Sequence, residues 1–309
     1  MYFIYISILM LQGLHLELTN ICMLKCPGCP RTQFIKIFPQ HWKNQSIDAE
    51  TLMNFLDIDL KGKNIYICGH YGDSIYHPDF FNIISQLKSR DAILEIVTNG
   101  SYKKKDWWKQ FVALLSDKDT ITFSIDGLPK NFTKYRINAD WQSIEIGMRV
   151  VAQSNCNSKW SYIPFSYNEN DIKEAELLCK HIGIKEFEVN KSDRWDEYTE
   201  HLKPSAEQIG SRDQNVQAWK QKQKVKKINP ACLSTERSHF ISADGFYTPC
   251  CYSYDFRFYY KNPFGLNKDE YNIRNTTITK VLENNITKDF FDNLDQYSVC
   301  QFNCGDCDA

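Results

Sequence analysis

From Gly13 to about Ser192, short β-rich runs alternate with helical stretches, a pattern that limits this part of the chain to a parallel sheet covered by helices. The candidate strands span 14–18, 64–68, 93–97, 120–124, 160–165 and 186–189. The candidate helices span 49–58, 78–89, 105–115, 141–152 and 172–181. Six such units predict an α/β barrel or partial barrel whose active residues sit at the carboxyl ends of the strands. At 309 residues the chain is long enough for this domain and a smaller appendage, which excludes a disulfide-stapled miniprotein.

Composition narrows the function classes. Hydrophobic residues make up 42% and charged residues 24%, so a core can be buried and neither a disordered nor a fibrous chain is expected. Lys plus Arg number 37 against 38 Asp plus Glu, and this balance offers no global basic surface for nucleic acid or an anionic membrane. The opening MYFIYISILML is about half of a bilayer span and lacks the basic front and small-residue cleavage site of a secretory signal. A cytoplasmic location with no membrane partner is therefore expected, with 1–12 either an extra strand or residues upstream of a start near Met10. The lysine-rich QAWKQKQKVKK has only Trp219 interleaved, and reads as a solvated connector rather than a nucleic-acid patch. The expected division is an N-terminal extension at 1–12, the barrel at 13–203, a helical connector at 204–230 and a cysteine-rich C-terminal domain at 231–309.

Cysteine carries the chemistry. Of the 12 cysteines, most fall in two groups, and in a large chain without an export signal clustered thiols point to metal or cluster ligands rather than disulfides. Cys22, Cys26 and Cys29 form a CxxxCxxC array directly after the first strand, in LELTNICMLKCPGCPRT. Three thiolates on one tight loop can hold three irons of a [4Fe–4S] cube, with Pro27 and Gly28 keeping the loop compact and one iron left open. A structural zinc site is the alternative, although no nearby Cys or His has the spacing of a fourth zinc ligand. The solitary Cys68, Cys156 and Cys179 have no ligand-like spacing and fit buried apolar faces.

This array resembles the signature of the radical S-adenosylmethionine (radical SAM) superfamily, and the resemblance extends over nearly the whole chain. It implies that Cys22, Cys26 and Cys29 bind the catalytic cluster. SAM would chelate the open iron and be cleaved reductively to a 5′-deoxyadenosyl radical that abstracts hydrogen from substrate. YICGHYGDSIYHPDF resembles the family's GGEP segment, with Gly72 and Asp73 offered to the SAM amino group through backbone carbonyls. The segment departs from the pattern by lacking the first Gly and the Pro. His70 and His77, which also lie here, are expected to be structural. IVTNGS resembles the TNG motif, with Thr98 and Asn99. FSIDGL resembles the SxDG segment, with Ser124 and Asp126, and Arg136 stands where relatives carry an Arg that pairs with the SAM carboxylate. Gly28 departs from the aromatic that relatives often carry before the last Cys, so the residue that packs adenine is not identified from the sequence.

The second cysteine group lies in PACLSTERSHFISADGFYTPCC and CQFNCGDC. Cys232 and Cys250 bracket a predicted hairpin turning at Asp244–Gly245, which can return both to one site. The layout resembles the SPASM and Twitch auxiliary-cluster domains of radical SAM enzymes. The resemblance implies one auxiliary [4Fe–4S] cluster held by Cys232, Cys250, Cys304 and Cys307, with Cys300 as a substitute for Cys304 and Cys251 unligated. A four-cysteine zinc ribbon remains the alternative, since spacing alone does not separate zinc from iron.

The expected function is that of a peptide- or protein-modifying radical SAM enzyme, served by a reductant such as a flavodoxin or ferredoxin. A radical SAM dehydrogenase of an amino sugar or cyclitol, using the auxiliary cluster as electron acceptor, is the second expectation. A zinc-binding nucleic-acid module is the third.

Overall fold

The computed structural model describes residues 11, 13–193, 195–210, 227–228, 230, 232 and 238–306. Residues 1–10 and 12 of the N-terminal extension, the lysine-rich connector over 211–226 and Cys307 lie outside the described residues.

Six parallel strands form the expected sheet: β1 Gly13–Leu16, β2 Asn64–Ile67, β3 Ile93–Thr98, β4 Thr120–Ser124, β5 Asn157–Tyr162 and β6 Glu186–Val189. They lie in the order β6-β5-β4-β3-β2-β1, an open arrangement that makes a partial barrel of the α/β class. Alternate residues of β2 and β3 are buried, and the buried set is apolar up to Thr98 at the end of β3: Ile65, Ile67, Leu94 and Ile96 are all fully covered. The covering helices are α1 Pro30–Ile37, α2 Ala49–Phe55, α3 Phe80–Ser89, α4 Lys105–Val112, α5 Trp141–Ala152 and α6 Ile172–Ile182. Helix α3 buries Phe80, Ile83, Ile84 and Leu87, one face at helical spacing. Asp140 caps α5 by accepting from Ser143 N, and Gly183, with φ at 97°, closes α6 in the left-handed region.

Two elements differ from the sequence expectation. Strand β5 ends at Tyr162 rather than at Phe165, because Pro164 has no N–H for the ladder and Asn168 Oδ1 accepts from Phe165 N in a turn. Helix α1 was not anticipated; its first residue is Pro30, whose fixed φ suits that position.

The predicted hairpin forms. Strands β8 Phe240–Ile241 and β9 Tyr247–Thr248 pair antiparallel, with Gly245 at φ 88° in the turn. Its first strand pairs in parallel with β1, with His15 opposite Phe240 and Leu16 opposite Ile241, so the C-terminal segment continues the barrel sheet. A second small ladder pairs β7 Lys227–Ile228 with β10 Gly305–Asp306. The helices beyond the hairpin are α7 Cys251–Tyr254, α8 Pro263–Leu266, α9 Ile278–Glu283, α10 Asn285–Asp292 and α11 Ser298–Cys304. One contiguous core runs from Leu14 and Leu16 of β1 to Tyr247, Phe264, Phe290 and Val299. Among the described residues no helix is long and apolar enough to cross a membrane.

Candidate functional site

The first cysteine group occupies the loop between β1 and α1, and its root is tied down before the first thiol. Thr19 Oγ1 donates to Gln45 O, while Asn20 accepts from Gln45 N and donates to Lys43 O. The Cys29 N–H then closes a turn on Cys26 O at 3.1 Å, and Cys29 caps α1 by offering its carbonyl to Gln33 N. Cys22 Sγ accepts from Leu24 N at 3.4 Å and from Asn99 Nδ2 at 3.7 Å. All three thiols are free. Burial pushes the thiols of Cys22 and Cys26 up to about 12, with the Arg136 guanidinium opposing the rise at Cys26. Among the described residues no three His, Cys, Asp or Glu side chains converge as they would on one ion. In a cube, by contrast, each thiolate takes its own iron. The donor set of three free thiols on one short loop fits that group.

The strand ends that follow bring the sequence-predicted residues to this loop. Gly69 and Gly72 close the turn after β2 tightly, since a Cβ on Gly69 would run into the Gly72 carbonyl, and one on Gly72 into the Thr19 carbonyl at the loop root. Asp73 does not point outward. Its Oδ2 accepts from Thr98 Oγ1 at 3.0 Å, from Asn99 N at 2.7 Å and from Asn99 Nδ2, which locks the ends of β2 and β3 together. Its burial raises the pKa of the carboxyl despite those bonds. Beyond β4, Arg136 donates through Nε to Asp126 Oδ2 and through Nη2 to Ser124 Oγ, both at 2.6 Å. Burial alone would lower the guanidinium, yet Asp126 and Cys26 beside it hold it above its usual range.

Three residues that sequence reasoning missed complete the surroundings. Tyr135 fills the space beside Gly28: its Oη lies 3.0 Å from where a Cβ on Gly28 would stand, with Thr199 Cγ2 at 2.9 Å. Its ring stacks on Phe165 at 4.4 Å. Tyr167 donates its hydroxyl to Asp126 O at 2.6 Å. Glu17 lies at the carboxyl end of β1, fully buried, and accepts from the N–H groups of Tyr71 and Gly72. Glu17 had a signal, since it is an acid between Leu16 and Leu18 in the predicted strand 14–18; Tyr135 had none, because its role depends on two loops meeting.

The second cysteine group lines a cavity of about 350 Å³ that contains Cys232, Cys250, Cys300 and Cys304. The last two stand one turn apart on α11 and so share a face. Burial raises Cys232 to about 12 and also raises Cys250 and Cys300, and the thiols push one another further. Cys251 and, from the end of β2, Cys68 and His70 line the same cavity. Cys68 is thus half-buried at a site rather than packed on an apolar face as expected, because β2 ends against the C-terminal segment. Cys156 and Cys179 are buried in the barrel, as expected. His77 is buried and bonds the Ile47 carbonyl.

Comparison with known proteins bears on this arrangement. Residues 16–179 match the model of the Radical SAM superfamily. A tungsten-containing aldehyde ferredoxin oxidoreductase cofactor-modifying protein of Pyrococcus furiosus is 29% identical over 166 residues, 46% of this chain and 44% of that one. The match thus spans less than half of the relative. SuiB of Streptococcus suis bound to precursor peptide SuiA has a similar structure, with a TM-score of 0.62 and 14% identity over 91% of this chain and 66% of that chain. A histidine-tagged anSMEcpe with bound AdoMet gives a TM-score of 0.56 at 14% identity, over 90% of this chain and 82% of that one.

Proposed function

The chain belongs to the radical SAM superfamily and is an enzyme of that class, and on this premise we propose that it removes hydrogen from a peptide or protein side chain at a site built on Cys22, Cys26 and Cys29. Family membership implies a [4Fe–4S] cluster and SAM, which together supply a 5′-deoxyadenosyl radical when bound. The observation that carries the reading is the meeting of three free thiols at the end of β1 with Asn99 from β3 and Arg136 from beyond β4.

The residues have separable tasks. Cys22, Cys26 and Cys29 hold the cluster. Gly72 and Asp73 present backbone to the SAM amino group, with the Asp73 side chain bracing Thr98 and Asn99 from behind. Ser124 and Arg136 bind the SAM carboxylate, and Asp126 aims the guanidinium. Tyr135 supplies the flat ring that Gly28 lacks, against which adenine packs. Cys232, Cys250, Cys300 and Cys304 hold an auxiliary [4Fe–4S] cluster, since these four thiols share one cavity, with Cys251 in the same cavity and Cys307, outside the described residues, as the sixth thiol of the group. A peptide substrate is supported by the structural resemblance to SuiB bound to precursor peptide SuiA and to anSMEcpe with bound AdoMet and Kp18Cys peptide. A protein reductant of the flavodoxin or ferredoxin kind supplies the electron.

The test is anaerobic incubation of the reconstituted protein with dithionite and SAM. It should yield 5′-deoxyadenosine and methionine, and the Cys26→Ala variant should yield none. Methylthioadenosine in place of 5′-deoxyadenosine would overturn the reading. Peptides encoded beside the gene, followed by mass spectrometry for hydrogen loss, test the substrate class against amino sugars and cyclitols.

A further inference from the structure

We propose that Glu17 is a positioning residue for SAM, acting through the peptide unit between Tyr71 and Gly72; this rests on the SAM site described above. The carboxylate is 0% exposed and its Oε1 accepts two successive backbone N–H groups, those of Tyr71 and Gly72, the second at 3.0 Å. Two adjacent amides aimed at one oxygen fix the planes of the two peptides that lead into Gly72, and Asp73 N, donating to Ile21 O at 3.0 Å, holds the next peptide, which carries the Gly72 carbonyl. The turn has little freedom otherwise, because Gly72 packs against Thr19 and Gly69 packs against Gly72.

A carboxylate is a costly residue to bury merely to fill space. Oε2 has no hydrogen-bond partner among the described residues, and burial raises the carboxyl, with His70 opposing the rise and Asp244 adding to it. An apolar side chain would avoid that cost but leave the two amides unsatisfied. The backbone bonds are thus the gain that the burial offsets.

The turn that Glu17 holds also touches both cysteine sites. On one side Cys68 and His70 line the cavity of the second group. On the other, Asp73 N donates to Ile21 O beside Cys22, and the Asp73 side chain holds Asn99, which reaches Cys22. The C-terminal segment grips the same turn: Phe256 N donates to Tyr71 Oη at 3.2 Å, His70 Nε2 stands 3.4 Å from Asp255 Oδ2, and Glu17 N itself pairs with Ile241 O at 2.9 Å. Glu17 is therefore at the junction of β1, the turn and the hairpin.

The experiment is SAM titration of the full-length reconstituted protein, read by equilibrium dialysis and by the change that SAM causes in the electron paramagnetic resonance spectrum of the reduced cluster. Glu17→Ala should weaken SAM binding at least tenfold with wild-type iron content. Glu17→Gln keeps an acceptor oxygen for the two amides and should restore binding to within threefold of wild type. Wild-type affinity in Glu17→Ala, or a Glu17→Gln variant more than tenfold weakened, would overturn the proposal. If Glu17→Ala fails to hold iron, the Gln variant decides by the same thresholds. A wild-type protein that binds no SAM would instead overturn the site reading itself, and this inference with it.

Discussion

The two cysteine groups are built in opposite ways. Cys22, Cys26 and Cys29 fall within one loop whose turn is closed by its own backbone and whose end is the start of α1. Cys232, Cys250, Cys300 and Cys304 come from three places in the sequence and meet only because the hairpin adds to β1 and α11 packs against α7 and β7. A local site is a property of a peptide segment set on a scaffold, whereas a distributed site is a property of the fold. Losing the first should abolish chemistry and leave the structure standing. Losing the second should damage the structure around it, because metal binding at such a site is coupled to folding.

The sharpest break of that contrast is the triple replacement of Cys22, Cys26 and Cys29 by Ala. We expect iron to fall from about eight per chain to about four, SAM cleavage to vanish, and the circular dichroism spectrum to stay that of wild type. Full iron content in this variant would show that the loop holds no cluster. Next in size, Cys250→Ala or Cys300→Ala should remove the other half of the iron, end substrate turnover and make the chain protease-sensitive after Lys227, while 5′-deoxyadenosine formation with dithionite continues. Loss of that activity as well would mean that damage crosses the shared sheet through β8 and β1.

The same contrast explains what could be read from the sequence. The β/α alternation gave the six strands in order, since each apolar run is flanked by its own turn signals, and the CxxxCxxC spacing put three thiols on one loop because that geometry is local. Strand β5 slipped where Pro164 overruled an apolar run. The pairing of Phe240–Ile241 with β1 was not legible, because strands of two residues carry no periodicity and nothing local names a partner more than two hundred residues away. For the same reason Cys300 stood only as a substitute ligand and Cys68 as a packing residue, although both line the second cavity. Ser124, Asp126 and Arg136 were found by motif, but their mutual bonds at 2.6 Å belong to the folded loop.

Those bonds set a third, smaller effect. On the proposed site, Arg136→Ala would remove a charge-assisted partner of the SAM carboxylate worth roughly 1.5–3 kcal/mol, so SAM binding should weaken about ten- to a hundredfold. It also leaves Asp126 buried without its counter-ion, which costs stability. Pairing it with Asp126→Asn separates the two: the double variant should regain melting temperature but not SAM affinity. Unchanged affinity in Arg136→Ala would confine the guanidinium to a structural role, and iron content should be unaltered in either case.

The smallest expected effect concerns acid, and it distinguishes the regions by the sign of their buried groups. In the barrel, burial raises the carboxyls of Glu17 and Asp73. For such groups the folded state binds protons more readily than the unfolded one, so this part gains stability as pH falls towards the raised values. In the C-terminal segment, burial lowers His239 to about 4, and its Nδ1 is paired with Tyr247 Oη at 2.9 Å. Here the unfolded state takes the proton first. The stability that neutral His239 contributes is complete above about pH 6.5 and is lost as pH falls through the folded value, roughly 1–2 kcal/mol of it by pH 5. His77 in the barrel is also lowered by burial and acts in the same direction, against the two carboxyls. Asp255, whose burial is outweighed by His70 and Arg257, is held below the usual carboxylate range and weakens the segment only at still lower pH. Hydrogen exchange, corrected for its intrinsic pH dependence, should therefore show residues 238–306 losing protection between pH 7 and pH 5 more than strands β3 and β4. The His239→Gln variant should be less protected at pH 7 yet show a flatter decline. Equal slopes in the two regions, or an unchanged slope in the variant, would remove His239 as the source of the difference.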